Sequence, residues 1–308
     1  MLTSMTALHL ATRVDLKALL PSWELALRAE RKSPQTVKVY GDGVRRFLAW
    51  TEQAHRPAVL DRATVAAFVA GLLDGGAEPA TARSRHLALR RFSAWLIDEG
   101  EQDAPDPLLG SKPPKLDSKV VDPLTEAELR ALIAACSGPD LRDRRDEALV
   151  RFMLETGCRA GEVAALALAD VDLPGGTATV VRGKGGRGRS VPFGPQTARA
   201  IDRYLRLRRT HRLAGTGDLW LGDRGKPFNY DGLHKSLSMR AANAGVAGFR
   251  PHRLRHTAAH RWLAAGGSEG GLMAVAGWTR PDMLLRYTKA QASNRAAEEA
   301  RKLNLGDL

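Results

Sequence analysis

The chain has 308 residues, long enough for two domains that each bury a core. Hydrophobic residues make up 44% and charged residues 26%, which excludes a disordered tail; no apolar run reaches the roughly 18 residues that a membrane span needs. Lys and Arg total 47 against 34 Asp and Glu, a net charge of +13 that favours a polyanionic partner, nucleic acid ahead of an anionic membrane. The N-terminal twenty residues lack the basic start and apolar core of an export signal, so the expected location is the cytoplasm, in association with the nucleoid. Cys136 and Cys158 are the only cysteines, and no Cys/His spacing suits zinc, so neither a metal nor another cofactor is expected.

In chain order, residues 1–20 are mildly amphipathic and carry no clear signal. Ser33-Pro34 then reads as an N-cap followed by proline at the first helical position. Val37, Tyr40, Val44, Phe47 and Leu48 recur at helical spacing as a buried face, with Lys38 and Arg45 on another face. Gly41 and Gly43 interrupt this helix at about 1 kcal/mol each against alanine, a cost that a close helix or DNA approach would explain. A second helix spans about Thr81–Ile97, with Leu89, Phe92 and Leu96 as its core stripe. Arg83, His86 and Arg90 form its basic stripe, which suits a solvated face and a DNA-phosphate contact equally well.

Residues 101–122 hold four prolines and no periodicity, the pattern of a linker. The expected organisation is therefore a helical domain over 1–105, a linker over 106–122 and a second domain over 123–308. Thr125-x-x-Glu128 is a capping box that opens the second domain with a helix through Ala135. Leu141–Glu155 follows as a helix ended by Gly157. Thr177–Arg182 and Arg189–Phe193 flank a glycine-rich tip, a hairpin presenting Lys184 and Arg187. Further helices are expected over Gln196–Arg209, Tyr230–Ala244 and Pro251–Ala265, and a last amphipathic one over Ala290–Leu308. The pattern as a whole is mainly α with a small β-sheet.

Chemistry concentrates at Pro251–His256. Pro251 opens a helix, and His252 and Arg255, at i and i+3, share a face near its N-terminus. Guanidinium, imidazole and unpaired N–H groups together would seat a phosphate; a basic surface helix with a capping histidine fits the same stretch.

Read with the rest of the chain, this stretch falls into an ordered set. Thr156-Gly157-Cys158-Arg159-Ala160-Gly161-Glu162 comes first, then the Gly183-Lys184-Gly185 tip, then His252-Arg253-Leu254-Arg255-His256. Ala276-Gly277-Trp278 closes it, with Tyr287 nine residues later. The set resembles the tyrosine recombinase family of phage integrases and Xer-like proteins, strongly over 123–290 and more loosely over 13–100. The resemblance implies a helical, SAM-like core-binding domain and a mixed α/β catalytic domain closing on DNA as a C-shaped clamp. It also implies a monomer or weak oligomer when free, four protomers on two double-stranded recombination sites, and strand exchange through a Holliday junction.

The residue types suit that chemistry. Arg159 and Arg255 would hold the non-bridging oxygens of a phosphodiester as charge develops, which removes the need for a metal. Lys184 matches the family's general acid for the 5′-hydroxyl leaving group. His252 matches the first residue of the H-x-x-R motif, with a proton-transfer or phosphate-contact role, and Trp278 can donate to a phosphate oxygen but carry no proton. Glu162 and His256 are expected in support, His256 orienting Glu162 or the phosphate. Tyr287 matches the nucleophile, which would form a 3′-phosphotyrosyl enzyme; of the other tyrosines, Tyr40 lies on a core stripe, and neither Tyr204 nor Tyr230 follows a Gly-Trp element. Lys38, Arg45, Arg83, Arg90 and Arg187 are the expected DNA contacts. The chain departs from the family's usual pattern at Trp278 and Lys289, where histidines are common, and before Tyr287, where paired threonines are absent. The rival readings are a type IB topoisomerase-like enzyme, a catalytically inert DNA-binding protein and a metal-dependent nuclease, the last lacking clustered carboxylates.

Overall fold

The computed structural model describes residues 14–116, 122–180, 188–223, 225–278, 280, 284 and 301. The chain divides into two compact units, Met1–Lys119 and Val120–Leu308.

The first unit is built from α1 (Leu16–Ala29), α2 (Pro34–Gln53), α3 (Arg62–Asp74) and α4 (Pro79–Asp98). Asp15 caps α1 by accepting from the Lys17 and Ala18 N–H groups, and Leu16, Leu20, Trp23 and Leu27 form its buried face. Ser33 caps α2 as its sequence predicts, its hydroxyl accepting from Thr36 N–H. Aromatic rings knit the core: Trp23 lies 4.9 Å from Phe92, and Phe47 meets Phe68 edge-on at 5.5 Å. The two glycines of α2 answer to helix approach. A Cβ on Gly43 would stand 2.7 Å from the Ala88 Cβ of α4, and one on Gly41 would collide with the Glu24 carboxylate of α1.

Residues 106–114, part of the stretch expected as linker, are strapped to this unit. Leu108 is wholly buried in its core. Arg62 donates to the Pro107 and Leu109 carbonyls, Ser93 donates to Asp106, and Arg83 donates to the Pro114 carbonyl. A single leucine with polar tethers has no period, so sequence pattern cannot distinguish it from a free linker.

The second unit centres on α6 (Leu141–Thr156), with residues buried around most of its circumference. The predicted capping box is present at the start of α5 (Glu126–Ala134). α7 (Ala160–Ala164) follows the end of α6, where Gly157 adopts φ 61°, a left-handed conformation that favours glycine. The strands β1 (Val171–Asp172), β2 (Thr177–Val180) and β3 (Arg189–Pro192) form an antiparallel sheet in that order, with Ala178 opposite both Val171 and Val191. The hairpin tip, with Lys184 and Arg187, lies outside the described residues. α8 (Pro195–Arg208), α9 (Tyr230–Asn243), α10 (Pro251–Ala264) and α11 (Glu269–Ala276) complete the unit. The expected helix over Ala290–Leu308 lies, apart from Arg301, outside the described residues.

The main core gathers Leu149, Phe152, Val180, Val191, Ile201, Tyr204, Trp220 and Leu254. Tyr204 is a core tyrosine: its hydroxyl donates to the Leu219 carbonyl and accepts from Leu221 N–H, and burial pushes its pKa up to about 12. A smaller cluster places Ala259 and Leu263 of α10 against Leu272, Ala276 and Trp278. No described helix is long and apolar enough to cross a membrane.

Candidate active site

Three chain segments converge on one cleft of about 410 Å³ in the second unit: the α6–α7 junction, the start of α9 and the start of α10. The left-handed Gly157 ends α6 and turns the chain so that Arg159 becomes the cap of α7. Arg159 is pinned to the following turn, its N–H and its guanidinium each donating to Glu162 at 2.9 Å. Its side chain remains 30% exposed, on the cleft side.

Pro251 occupies the first position of α10, as its sequence predicts, and sets His252 and Arg255 on the wall facing Arg159. Arg255 is 2% exposed, donates to the Gly157 carbonyl at 2.6 Å, and lies with its guanidinium 5.3 Å from the centre of the Trp278 ring. Trp278 itself is buried just after Gly277, whose φ of 65° closes the turn. His252 is exposed at the cleft, yet the cleft walls still desolvate its ring in part. Burial first, and then the Arg255 and Arg159 charges, hold its pKa below the ordinary 6.5. His256 meets His252 edge-on at 4.7 Å, while the Glu162 carboxylate accepts from Arg159 and Arg189.

Arg159, Glu162, His252 and Arg255 are thus brought together, with His256 and Trp278 packed behind them. Lys184, Arg187 and Tyr287 lie outside the described residues. The expected DNA contacts of the first unit differ among themselves. Lys38 is exposed, Arg45 is exposed but paired with Glu24 and Asp42, and Arg83 holds the Pro114 carbonyl. Arg90 is partly buried, and His86, expected on the basic stripe, is instead buried and hydrogen-bonded to Ser111.

Two residues of the site escape the sequence reading. Tyr230 opens α9 behind an Asn229 cap and lines the cleft with its side chain exposed; its position at a helix start is legible, its direction is not. Arg189, the first residue of β3, donates to Glu162, to Cys158 Sγ and to the Val275 carbonyl. One arginine in a strand says nothing of partners so distant in sequence.

The geometry suits a phosphodiester. Two fixed guanidinia and the N-terminus of a 14-residue helix offer directed donors to non-bridging oxygens, and their field stabilises additional negative charge there. Among the described residues no group of three or more His, Cys, Asp or Glu could hold a metal ion.

The phage integrase family model matches residues 123–294, and the phage integrase N-terminal SAM-like domain matches residues 20–100. The chain is 30% identical over 245 residues to the tyrosine recombinase XerD of Bifidobacterium longum, covering 75% of this chain and 79% of that protein. It is 31% identical to the tyrosine recombinase XerC of Halalkalibacterium halodurans, covering 79% and 82%. A lambda integrase tetramer bound to a Holliday junction shares the fold, with a TM-score of 0.67 at 16% identity over 86% of this chain and 77% of that one.

Proposed function

The chain belongs to the phage integrase family and is a site-specific DNA recombinase of the tyrosine type, and from that premise we propose how it breaks and rejoins DNA. Tyr287 attacks the scissile phosphorus as its phenol loses a proton. The P–O5′ bond breaks, and Lys184 protonates the departing 5′-hydroxyl. The protein is left joined to the 3′ end through a phosphotyrosine, which conserves the energy of the broken bond. A 5′-hydroxyl from the partner strand then attacks that phosphorus and displaces Tyr287, so no nucleotide cofactor is consumed.

Arg159 and Arg255 hold the two non-bridging oxygens through both steps. His252, whose pKa is lowered by burial and by the Arg255 and Arg159 charges, accepts or relays a proton or hydrogen-bonds the phosphate. Trp278 supports the Arg255 guanidinium with its ring. The convergence of Arg159, His252 and Arg255 on one cleft carries the proposal. Four protomers on two duplex sites exchange strands through a Holliday junction. The first unit grips duplex DNA with Lys38, Arg83 and Arg90 and with Arg45 once its carboxylate partners yield it, and Arg187 adds a contact from the hairpin.

The test is covalent trapping. Wild type and Tyr287→Phe are incubated with nicked duplexes carrying the target site, with chelator present, and resolved under denaturing conditions. A chelator-resistant adduct at the 3′ end with wild type alone is the expected result. An adduct that persists in Tyr287→Phe moves the nucleophile elsewhere, and one that needs metal removes this chemistry.

A further inference from the structure

Arg189 occupies a junction that the reaction as described does not use. It begins β3, five residues after Lys184 in the chain. From there its guanidinium reaches two other segments, the α6–α7 junction and the end of α11. Nη2 donates to Glu162 Oε2 at 2.7 Å and to Cys158 Sγ at 3.5 Å, Nη1 donates to Glu162 Oε1 at 3.2 Å, and Nε donates to the Val275 carbonyl at 2.7 Å. The fit around it is close: a Cβ on Gly277 would stand 2.8 Å from Arg189 Cζ. The side chain is 13% exposed and the Glu162 side chain 4%.

We infer that Arg189 is a positioning residue for both phosphate-holding arginines, an inference that rests on the roles proposed above for Arg159 and Arg255. Two separate contacts lead to them. Through Glu162, Arg189 fixes the carboxylate to which Arg159 is pinned by its N–H and its guanidinium. Through Val275 and Gly277, it holds the turn that seats Trp278 under Arg255.

The charge balance gives Arg189 a second task. A nearly dry carboxylate beside a single arginine forms a tight neutral pair, and such a pair has little field left for a phosphate. With Arg189 present, Arg159 and Arg189 share the Glu162 carboxylate and Arg255 lines the same cleft, so the cluster carries a surplus of two positive charges for the phosphodiester and the charge it gains in the transition state. Without Arg189 the surplus is one, and Glu162 draws Arg159 towards itself.

The experiment uses the full chain as wild type, Arg189→Gln, Arg189→Lys, Glu162→Gln and the Glu162→Gln/Arg189→Gln double variant. Adduct formation is followed in single turnover on a nicked duplex, with DNA affinity measured separately. In parallel, nitrogen-15 NMR of the DNA-free protein follows the Arg159 side-chain signal, assigned by its loss in Arg159→Ala. Arg189→Gln is expected to slow the adduct by roughly 30- to 100-fold, the scale of a misplaced catalytic group, with DNA affinity within about threefold, and to shift the Arg159 signal. Arg189→Lys keeps the charge and recovers part of the rate. The double variant removes the uncompensated carboxylate, while the amide oxygen introduced by Glu162→Gln still accepts from Arg159. It should run at least about fivefold faster than Arg189→Gln alone.

A double variant as slow as, or slower than, Arg189→Gln overturns the inference, because a purely structural arginine would give additive losses. An unmoved Arg159 signal in Arg189→Gln overturns it as well. Wild type that forms no adduct on its site overturns the functional reading instead, and the NMR result then decides the positioning claim by itself.

Discussion

The two units hold themselves together by different means. Among the described residues, the first unit buries no arginine and closes around Trp23, Phe47, Phe68 and Phe92, with Thr51, His86 and Ser93 as its buried polar groups. The second buries Arg145, Arg208, Arg240 and Arg255. An aromatic core needs only shape and area. A phosphate site needs cations whose positions are fixed before the substrate arrives, and a long side chain is fixed most firmly where carbonyls and carboxylates surround it. The second unit uses buried guanidinia in two ways. Arg208 donates to the Ala214, Thr216, Asp218 and Leu219 carbonyls and acts as a staple; Arg255 is held by Gly157 and also lines the cleft.

The sharpest way to break that distinction is to remove one arginine of each kind. Arg255→Ala and Arg159→Ala should each lower single-turnover cleavage by about 10²-fold or more, the scale for loss of one transition-state donor, while DNA affinity changes only a few-fold. Arg208→Ala should instead lower stability in urea, leaving cleavage per folded molecule close to wild type. If Arg255→Ala loses binding and cleavage in equal measure, Arg255 is an ordinary phosphate contact and the two kinds of buried arginine collapse into one.

The next largest effect tests the buried ionic network itself. Asp146 is wholly buried and accepts from Arg145, Arg240 and Ser236. Asp146→Ala takes from Arg145 its carboxylate partner and leaves Arg240 with Asp143 as its carboxylate partner, and should cost about 3–5 kcal/mol of unfolding free energy, measured by denaturant titration. A loss below about 1 kcal/mol would mean that water replaces the carboxylate easily, and that the second unit is held by its apolar core as the first is.

A smaller effect probes the close approach in the first unit. Gly43→Ala gains about 1 kcal/mol of helix propensity but drives a methyl to 2.7 Å from the Ala88 Cβ. Neither methyl can rotate away, and overpacking of this kind costs about 1–3 kcal/mol. The net should be a destabilisation of about 1 kcal/mol, largely relieved by adding Ala88→Gly. A stabilised Gly43→Ala would show that α2 and α4 slide apart without penalty.

Legibility in the sequence follows the same division. The helices α2, α4, α8, α9 and α10 announce themselves through period and caps, and α6, buried around most of its circumference, through the Gly157 that ends it. α3 is silent because its run of alanine, valine and leucine is apolar on most sides and has little period to read. α11 is silent because Gly270 and Gly271 dilute a helix of eight residues. In the cleft, His252 and Arg255 are read as neighbours because i, i+3 spacing behind Pro251 sets them on one face of a helix start, whereas Arg159, which reads locally as a helix-end arginine, is singled out only by the family resemblance. Arg189 is not legible, because its meaning lies in a contact with Glu162 across 27 positions of chain. His86 falls on the basic stripe by spacing alone, because the residue that tethers it, Ser111, comes from a stretch without period.

The mildest effect concerns the titratable ring that faces the cleft cations. His252 shares the cleft with Arg255 and Arg159, with His256 edge-on at 4.7 Å, and burial and the two guanidinia lower its pKa below 6.5. A proton NMR titration of the DNA-free protein should therefore place its midpoint below 6.5. Arg159→Ala, which removes the weaker of the two repulsions, should raise that midpoint slightly. The sign for stability follows from linkage: the unfolded chain takes up the proton first as pH falls, so this group's contribution is intact above the unfolded value and is lost as pH drops through the folded one. His252→Gln should flatten that part of the acid loss, leaving whatever share belongs to His86, whose pKa is also lowered, chiefly by burial. A midpoint at or above 6.5 would mean that a carboxylate, not a guanidinium, dominates the field at His252, and the cleft would then be a poorer seat for a phosphate than its arginines suggest.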